Sequence, residues 1–214
     1  MSSSKSQSNL IEENLMLRLR NIHKEYDRQG DGNQLLLNNV ILNNLNLEIK
    51  DGEFVTIVGL SGCGKSTLLN ILAGMDTSYK GNIYIHSKPN QESINTDRVV
   101  VFQEGALFPW LTVFQNTEFG LKIGKIPKDQ RKKTIMHYYD LVQLTNFSNA
   151  FIHQLSGSMK QRVAISRGLA LNPKILLMDE PFAALDVQTR KMLYKEVLKI
   201  HQETMKTILF VHRT

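Results

Sequence analysis

A glycine-rich loop of nine residues lies between two apolar runs of the chain, and its spacing fits the phosphate-binding pattern G-x-x-x-x-G-K-[ST]. Glycines allow positive φ, so the N–H groups of such a loop can surround an anion at the positive end of the following helix. The lysine adds a cation for the β- and γ-phosphates of a nucleotide, and the serine hydroxyl is a hard oxygen ligand for Mg²⁺. The alternative is a turn that binds nothing, which the flanking strand and helix patterns disfavour. The predicted phosphate-binding residues are Gly59, Leu60, Ser61, Gly62, Cys63, Gly64, Lys65, Ser66 and Thr67.

Two adjacent carboxylates, Asp179 and Glu180, follow the apolar run Ile175-Leu176-Leu177-Met178. Ligands of open α/β sheets bind at the carboxyl ends of strands, so Asp179 is a candidate Walker B ligand for Mg²⁺. Glu180 is then placed to polarise an attacking water as a general base. The simpler interpretation is that these residues cap the next helix, and the presence of the phosphate loop favours the catalytic one. Gln103 also ends an apolar run, although by itself a glutamine there is more often a surface residue.

Ser156 and Gly157 precede a predicted helix and form a second candidate anion site at a helix N-terminus. One nucleotide does not need two such sites from one chain. A two-fold dimer resolves this, because the Ser156 turn of each copy would then meet the γ-phosphate held by the Lys65 loop of the other. The alternative is an ordinary serine N-cap.

The composition predicts a folded protein that does not span a membrane by itself. Hydrophobic residues make up 42% of 214 residues, and no apolar run approaches the roughly 18 residues of a membrane span. The single cysteine excludes an internal disulfide framework and suits a reducing cytosol. The net charge of +6 is compatible with a membrane surface or nucleic acid. The basic clusters at residues 122–133 and 190–206 contain acids too, so solvated helix faces are favoured.

The hydrophobic patterns predict strands at Leu15–Arg20, 44–49, 54–58, 81–85 and 99–102, then a largely helical stretch, and later strands at 175–178 and 207–211. Within the helical stretch they predict helices at 127–144 and 158–171, and a third helix at 187–203 follows it. Strands that alternate with helices indicate a mostly parallel α/β sheet. We expect residues 1–13 to form a disordered tail, 14–103 and 172–214 to form a core domain, and about 104–171 to form an inserted helical subdomain.

Together these motifs resemble the ATP-binding subunits of ATP-binding cassette (ABC) transporters, from Leu15 to Val211. The residues that carry the resemblance are the loop Gly59–Thr67, Gln103 in the Q-loop position, the signature Leu155-Ser156-Gly157 with Gln161, the Walker B pair Asp179-Glu180, and Ala184-Leu185-Asp186, which is similar to the D-loop. The resemblance implies a phosphate-loop ABC ATPase fold with a mostly parallel core sheet, an antiparallel β part and an inserted helical subdomain.

The resemblance also implies roles for individual residues. Ser66, Gln103 and Asp179 would bind Mg²⁺, and Glu180 and Gln103 would act in hydrolysis of ATP. Ser156, Gly157 and Gln161 would contact the ATP held by a second cassette, and Asp186 would belong to the D-loop.

Tyr26 and His212 have implied roles at the two ends of the site. Tyr26 falls where the family places an aromatic residue that stacks on adenine. His212 is the candidate for the histidine that contacts the γ-phosphate, displaced by one position, and a shift of one residue in a strand turns a side chain to the opposite face.

The stretch Val101–Val113 is similar to importers of nitrate, aliphatic sulfonates, taurine and related small solutes. This implies a peripheral ATPase on the cytoplasmic side of the cell membrane, in a homodimer of cassettes. It would be bound to two permease subunits and fed by a substrate-binding protein, with no nucleic-acid partner. Phe108-Pro109-Trp110 would lie near the permease surface, or alternatively in the subdomain core.

Two departures from the family pattern leave alternatives open. Ser158 replaces a second signature glycine, and its Cβ would either crowd the opposing phosphate or be harmless at a helix start. Val211 is followed by His212-Arg213-Thr214 where the family has Thr-His-Asp, so we expect a truncated or altered end without the usual C-terminal helices. These departures suggest a cassette that binds ATP with impaired hydrolysis. The basic charge suggests a soluble, non-transport ABC ATPase as a further alternative.

Overall fold

The computed structural model describes residues 14–26, 39–86, 88–89, 96–102 and 106–213, without the side chain of residue 213. The strands are β1 Leu15–Tyr26, β2 Asn39–Lys50, β3 Phe54–Gly59, β4 Lys80–Ile85, β5 Lys88–Pro89, β6 Arg98–Val101, β7 Ile175–Asp179 and β8 Thr207–Arg213. The α-helices are α1 Lys65–Leu72, α2 Val113–Ile123, α3 Lys128–Leu141, α4 Gly157–Ala170 and α5 Val187–Thr204. The expected disordered tail at residues 1–13 lies outside the described residues.

The first sheet is parallel, in the order β3-β8-β7-β6. Its central strand β7 has four consecutive buried residues, as expected for a strand covered on both faces. Ile57 in β3 and Asp179 in β7 both pair with Val211 in β8. The carboxyl ends of β3 and β7 therefore lie at the same edge of the sheet, and the phosphate loop is brought to the same edge as Asp179 and Glu180.

The second sheet is antiparallel, in the order β2-β1-β4-β5. A core that includes Leu19, Ile49, Leu69 and Leu177 joins this sheet to α1 and to one face of the parallel sheet. Helix α1 thus lies between the two sheets, and each of them can reach the loop that precedes it.

The helices α2, α3 and α4 pack on one another and on the other face of the parallel sheet. Thr112 begins α2 with a capping box, in which its hydroxyl accepts from Gln115 N and the Gln115 side chain accepts from Thr112 N. The buried hydroxyls of Thr117 and Tyr139 lie 2.8 Å apart and link α2 to α3. Across the described residues, no helix is both long enough and apolar enough to cross a bilayer.

The predicted elements agree with the structure, with differences at their ends. The helix predicted to reach Leu144 ends at Leu141, and the chain turns there through Gln143, which has a φ of 58°. Strands β1 and β2 are longer than predicted. Asn21 and Asn44 adopt positive φ at irregular points of their pairing, and the alternation of apolar residues, from which the strand ends were predicted, is interrupted there. Helix α2 was not predicted as a separate element.

Candidate functional site

The phosphate loop combines positive backbone angles with close packing. Gly62 and Gly64 have φ values of 80° and 94°, which side chains rarely allow. At Gly59 a side chain is excluded by lack of space, since a Cβ there would lie 2.8 Å from Cys63 Sγ. Cys63 therefore fits its position as a small side chain packed against Gly59, and the pattern of glycines follows from the shape of the loop.

Gly64 lies directly beneath the antiparallel sheet. A Cβ at this residue would lie 2.8 Å from Ile41 Cγ2, 3.0 Å from Leu42 Cδ2 and 3.1 Å from the Ile41 carbonyl oxygen. Helix α1 begins at the next residue, and no side chain caps it. The first N–H groups of α1 are thus available to an anion, in a loop held in place by β2.

Lys65 points back into the loop. Its side chain is 6% exposed, and its ammonium donates to the carbonyl oxygens of Gly59 at 2.7 Å and Leu60 at 2.8 Å. The same nitrogen lies 3.9 Å from Glu180 Oε1. A buried cation is therefore fixed between the loop carbonyls and the Glu180 carboxylate, where it can neutralise negative charge.

Ser66 and Asp179 meet across 113 residues of sequence. The Ser66 hydroxyl donates to Asp179 Oδ1 at 3.0 Å. Burial raises the pKa of the Asp179 carboxyl, with a further contribution from the adjacent Glu180, while the Ser66 hydrogen bond and Lys65 oppose the shift. Two hard oxygen donors at one point are the chemistry that Mg²⁺ requires, so these residues fit the ion that the family implies. Gln103, the third predicted ligand, lies outside the described residues.

Glu180 is held in an unusual backbone conformation. Its φ is 43°, which is uncommon for a residue with a side chain, and its N–H donates to the Val211 carbonyl oxygen at 3.2 Å. Glu180 also lines a cavity of about 390 Å³ at the phosphate loop. Backbone strain of this kind concentrates at functional sites, where the surrounding fold maintains it. The other residues that line the cavity are Ile41, Ser61, Gly62, Gly64, Lys65, Ser66 and Thr67.

Tyr26 is the last residue of β1, and 44% of it is exposed. Its hydroxyl donates to Asp76 Oδ2 at 3.1 Å, and the Lys24 ammonium lies 4.5 Å from the centre of its ring. The sequence indicated the aromatic residue alone. Its two partners were missed, because no local pattern relates Lys24 to a carboxylate 52 residues away.

Ser156 caps α4, since its hydroxyl accepts from Met159 N at 3.3 Å. The same oxygen lies 3.0 Å from the Ser158 hydroxyl. In the part of the chain that is described, no hydrogen bond or ion pair joins Ser156 to the phosphate loop. The N-terminus of α4 is thus a second anion-attracting end within one chain, as the two-site argument expects. Gln161, the other signature residue, is buried one turn further along α4.

Asp186 caps α5 and accepts from the N–H groups of Gln188 and Thr189, both at 3.0 Å. The side chain of Thr189 first, and then the N–H groups of Thr189 and Gln188, lower the pKa of the Asp186 carboxyl by hydrogen bonding to it. A Cβ on Gly157 would lie 3.1 Å from Leu185 Cδ2. The segment before α5 therefore touches the start of α4, and the D-loop and signature positions lie side by side.

His212 lies on the face of β8 that meets α5. Its Nδ1 is 2.9 Å from the Tyr194 hydroxyl, whereas its neighbour Val211 packs into the core around α1. His212 and Glu180 line one further cavity of about 290 Å³, together with Arg190. His212 thus faces Tyr194, on the side of the sheet opposite to α1, and shares its cavity with Glu180.

Comparisons with known proteins identify the family. The family model of the ABC transporter matches residues 42–183. An uncharacterised ABC transporter ATP-binding protein of Methanocaldococcus jannaschii is 45% identical over 91% of this chain and 70% of its own length. A nitrate import ATP-binding protein of Synechocystis is 49% identical over 80% of this chain and 64% of its own. A spermidine/putrescine import ATP-binding protein of Borrelia garinii is 42% identical over 93% of this chain and 56% of its own.

Solved structures of similar fold belong to the same family. The cbiO1 protein of Clostridium perfringens, part of the ABC transporter complex cbiONQ, has a TM-score of 0.84 at 28% identity, covering 94% of this chain and 80% of its own. A dimeric bacterial ABC transporter cassette has a TM-score of 0.77 at 36% identity, covering 92% of this chain and 87% of its own. The predicted fold is confirmed. The chain belongs to the ABC transporter family, as one of its ATP-binding ATPase cassettes.

Proposed function

We propose that this chain hydrolyses ATP at the phosphate loop and thereby powers an importer. The observation that carries the proposal is the convergence of Lys65, Ser66, Asp179 and Glu180 at one edge of the parallel sheet. These four side chains supply a cation, two hard oxygen ligands and a candidate base, and three of them, Lys65, Ser66 and Glu180, line one cavity. That set is what phosphoryl transfer to water requires.

The residues divide the chemistry between them. The N–H groups of the loop and the Lys65 ammonium bind the β- and γ-phosphates, and Lys65 exchanges its loop carbonyl partners for phosphate oxygens. Glu180 orients a water in line with the γ-phosphate and accepts its proton. Mg²⁺ held by Ser66, Asp179 and Gln103 would neutralise charge on the phosphate oxygens. The Glu180 backbone, with a φ of 43° and its N–H bonded to the Val211 carbonyl oxygen, is held at the edge of the sheet before ATP arrives.

Two copies of the chain would share two ATP molecules. The Ser156–Gly157 end of α4 from one copy, with Gln161 behind it, would meet the γ-phosphate held by Lys65 of the other. Among the described residues no hydrogen bond or ion pair joins Ser156 to the phosphate loop of its own chain, which supports this arrangement, as do the dimeric cassettes of similar fold. Asp186 would lie at the same interface, because its neighbour Leu185 packs beside Gly157.

The transport role rests on the relatives. Their names include importers of nitrate and of spermidine/putrescine, and a similar structure is part of a transporter complex. The stretch Val101–Val113 favours a small anionic solute of the nitrate, sulfonate or taurine type. Within it Trp110 is 71% exposed and its ring centroid lies 5.5 Å from that of Phe108, a surface suited to the permease subunits.

With such partners the protein would work at the cytoplasmic side of the cell membrane, with a substrate-binding protein as an indirect partner. We propose no nucleic-acid partner. Lysines of the basic clusters pair with acids of the same helices, Lys122 with Glu118 at 2.8 Å and Lys199 with Glu203 at 3.7 Å. Such pairing is typical of solvated helix faces.

The test is the steady-state release of phosphate by the full chain with and without Glu180→Gln. Loss of a general base lowers kcat by about 10²–10⁴-fold, while ATP binding remains and the dimer accumulates. Glu203→Gln, at an exposed position of α5, is the matched control and should retain the activity of the parent chain. A Glu180→Gln protein that turned over ATP at the parental rate would refute the role of Glu180.

A second candidate function, ATP binding with impaired hydrolysis, is favoured by the hydrogen bond between His212 and Tyr194. A histidine held in this way has one ring nitrogen taken by the Tyr194 hydroxyl, where it would not contact a phosphate oxygen. In the same assay, a parent chain as slow as Glu180→Gln supports this candidate. Turnover that falls at least tenfold in His212→Ala instead supports catalysis with His212 in the site.

A further inference from the structure

The end of β1 lies above the phosphate loop, with β2 between them. Lys24 pairs with Leu42 of β2, and Tyr26 pairs with Asn39. Leu42 and Ile41 are the residues that a Cβ on Gly64 would meet. Since paired strands lie about 5 Å apart, Lys24 is one strand spacing from Leu42, which covers the loop, and Tyr26 lies two residues further along β1.

Lys24, Tyr26 and Asp76 form a polar cluster there, next to Ser78. The Lys24 ammonium donates to Asp76 Oδ1 at 2.9 Å and to the Ser78 carbonyl oxygen at 2.6 Å. The second carboxylate oxygen of Asp76 accepts from the Tyr26 hydroxyl at 3.1 Å. One carboxylate therefore holds both the lysine and the tyrosine, and it comes from the segment just after α1.

One face of the Tyr26 ring lies against the Lys24 ammonium. Lys24 is only 4% exposed, and its ammonium lies 4.5 Å from the ring centroid, which is a cation–π contact with one face. Tyr26 as a whole is 44% exposed. A buried lysine is costly unless it is fully paired, so the cluster is a fixed support and not a flexible surface contact.

We propose that Asp76 and Lys24 are positioning residues for Tyr26, which they hold with one ring face on the Lys24 ammonium and the opposite face presented to the base of the bound nucleotide. The inference rests on the proposed function, because it needs a nucleotide at the phosphate loop. Stacking on an aromatic ring tolerates any base, since every base has a π-face. The cluster therefore raises the affinity for nucleoside triphosphates in general and leaves the affinity for the triphosphate group unchanged.

The experiment compares two ligands of the full chain by titration calorimetry, a non-hydrolysable ATP analogue and inorganic tripolyphosphate, both with Mg²⁺. Tyr26→Ala should weaken binding of the ATP analogue by about 5- to 100-fold, the range of a lost base-stacking contact. Tyr26→Phe keeps the ring and removes only the hydrogen bond to Asp76. The affinity for the ATP analogue should therefore fall by about 2- to 10-fold, as for the loss of one hydrogen bond. Binding of tripolyphosphate should be the same in all variants.

A double-mutant cycle separates positioning from a general structural role. Tyr26→Phe and Asp76→Ala both remove the hydrogen bond from the Tyr26 hydroxyl to Asp76, so the combined variant should bind the ATP analogue no more weakly than Asp76→Ala alone. Tyr84→Phe in β4, away from the cluster, is the matched control and should bind as the parent does. Equal losses for both ligands, or parental affinity in Tyr26→Phe and Tyr26→Ala, would overturn the inference. A parent chain that binds neither ligand would overturn the proposed function itself.

Discussion

Replacing Gly64 by alanine tests the contact between the antiparallel sheet and the phosphate loop. Gly64 has a φ of 94°, and an L-residue with a left-handed backbone costs about 1–2 kcal/mol. The new Cβ would also lie 2.8 Å from Ile41 Cγ2 and 3.1 Å from the Ile41 carbonyl oxygen. Overpacking of this kind costs about 1–3 kcal/mol, so we expect a total loss of roughly 2–5 kcal/mol in the free energy of unfolding.

The same loop offers a matched control. Gly62 has a φ of 80°, but a Cβ there would meet nothing within 4 Å. Gly62→Ala should therefore lose only the backbone contribution of about 1–2 kcal/mol. Urea unfolding followed by far-ultraviolet circular dichroism measures the stability of both variants. Titration with tripolyphosphate should show weaker binding by Gly64→Ala than by Gly62→Ala.

A second substitution locates the source of the difference. Ile41→Ala removes the side-chain atom nearest to the new Cβ, so it should cost less in the Gly64→Ala background than in the parent, with a coupling of about 0.5–1 kcal/mol. The carbonyl contact would remain, so recovery should be partial. Equal destabilisation by Gly62→Ala and Gly64→Ala would show that the backbone angle alone matters and that β2 does not press on the loop.

Two further predictions concern the supports of α1 and of Tyr26. Buried Arg98 donates to the Leu72 carbonyl oxygen, at the end of α1, with a distance of 2.8 Å. Arg98→Met should therefore lower the free energy of unfolding, measured in urea, by about 2–3 kcal/mol. The control Lys195→Met, at an exposed position of α5, should change it by less than about 0.5 kcal/mol. Burial by itself would raise the pKa of Asp76, but hydrogen bonds led by that of Lys24 outweigh it and the pKa is lowered. The stability from this cluster is thus complete above the ordinary aspartate pKa of about 4 and is lost as the pH falls through the lower value of the folded state. Unfolding measured from pH 6 downward should show this acid loss in the parent and a smaller one in Asp76→Asn; identical slopes would contradict it.

Much of the fold follows from local patterns. The β7 residues are uniformly apolar because both faces of that strand are covered, and this signal survives in one sequence. The ends of β1 and β2 were less predictable, since the bulges near Asn21 and Asn44 are set by pairing between strands. Helix α2 carried a usable signal, the Thr112 and Gln115 capping box, that periodicity alone did not isolate.

In the candidate site, too, some features follow from local sequence and others depend on contacts between distant segments. Strand, glycines, lysine and serine are contiguous, so the phosphate loop can be predicted from spacing and backbone chemistry. The roles of Gln103, Ser156 and Asp186 remain predictions. The direction of His212 could not be read from composition, because one residue of register decides which face of β8 it occupies.

The sequence by itself determined that a phosphate loop opens α1 and that two carboxylates end a buried strand. The reason is that glycine angles, helix-end charge and strand burial are properties of short segments. Only the tertiary structure decided that Ser66 meets Asp179, that Ile41 closes over Gly64 and that Lys24 and Asp76 support Tyr26. Those contacts join residues far apart in the chain, and they exist because the packing of two sheets around α1 brings their strand ends to one place.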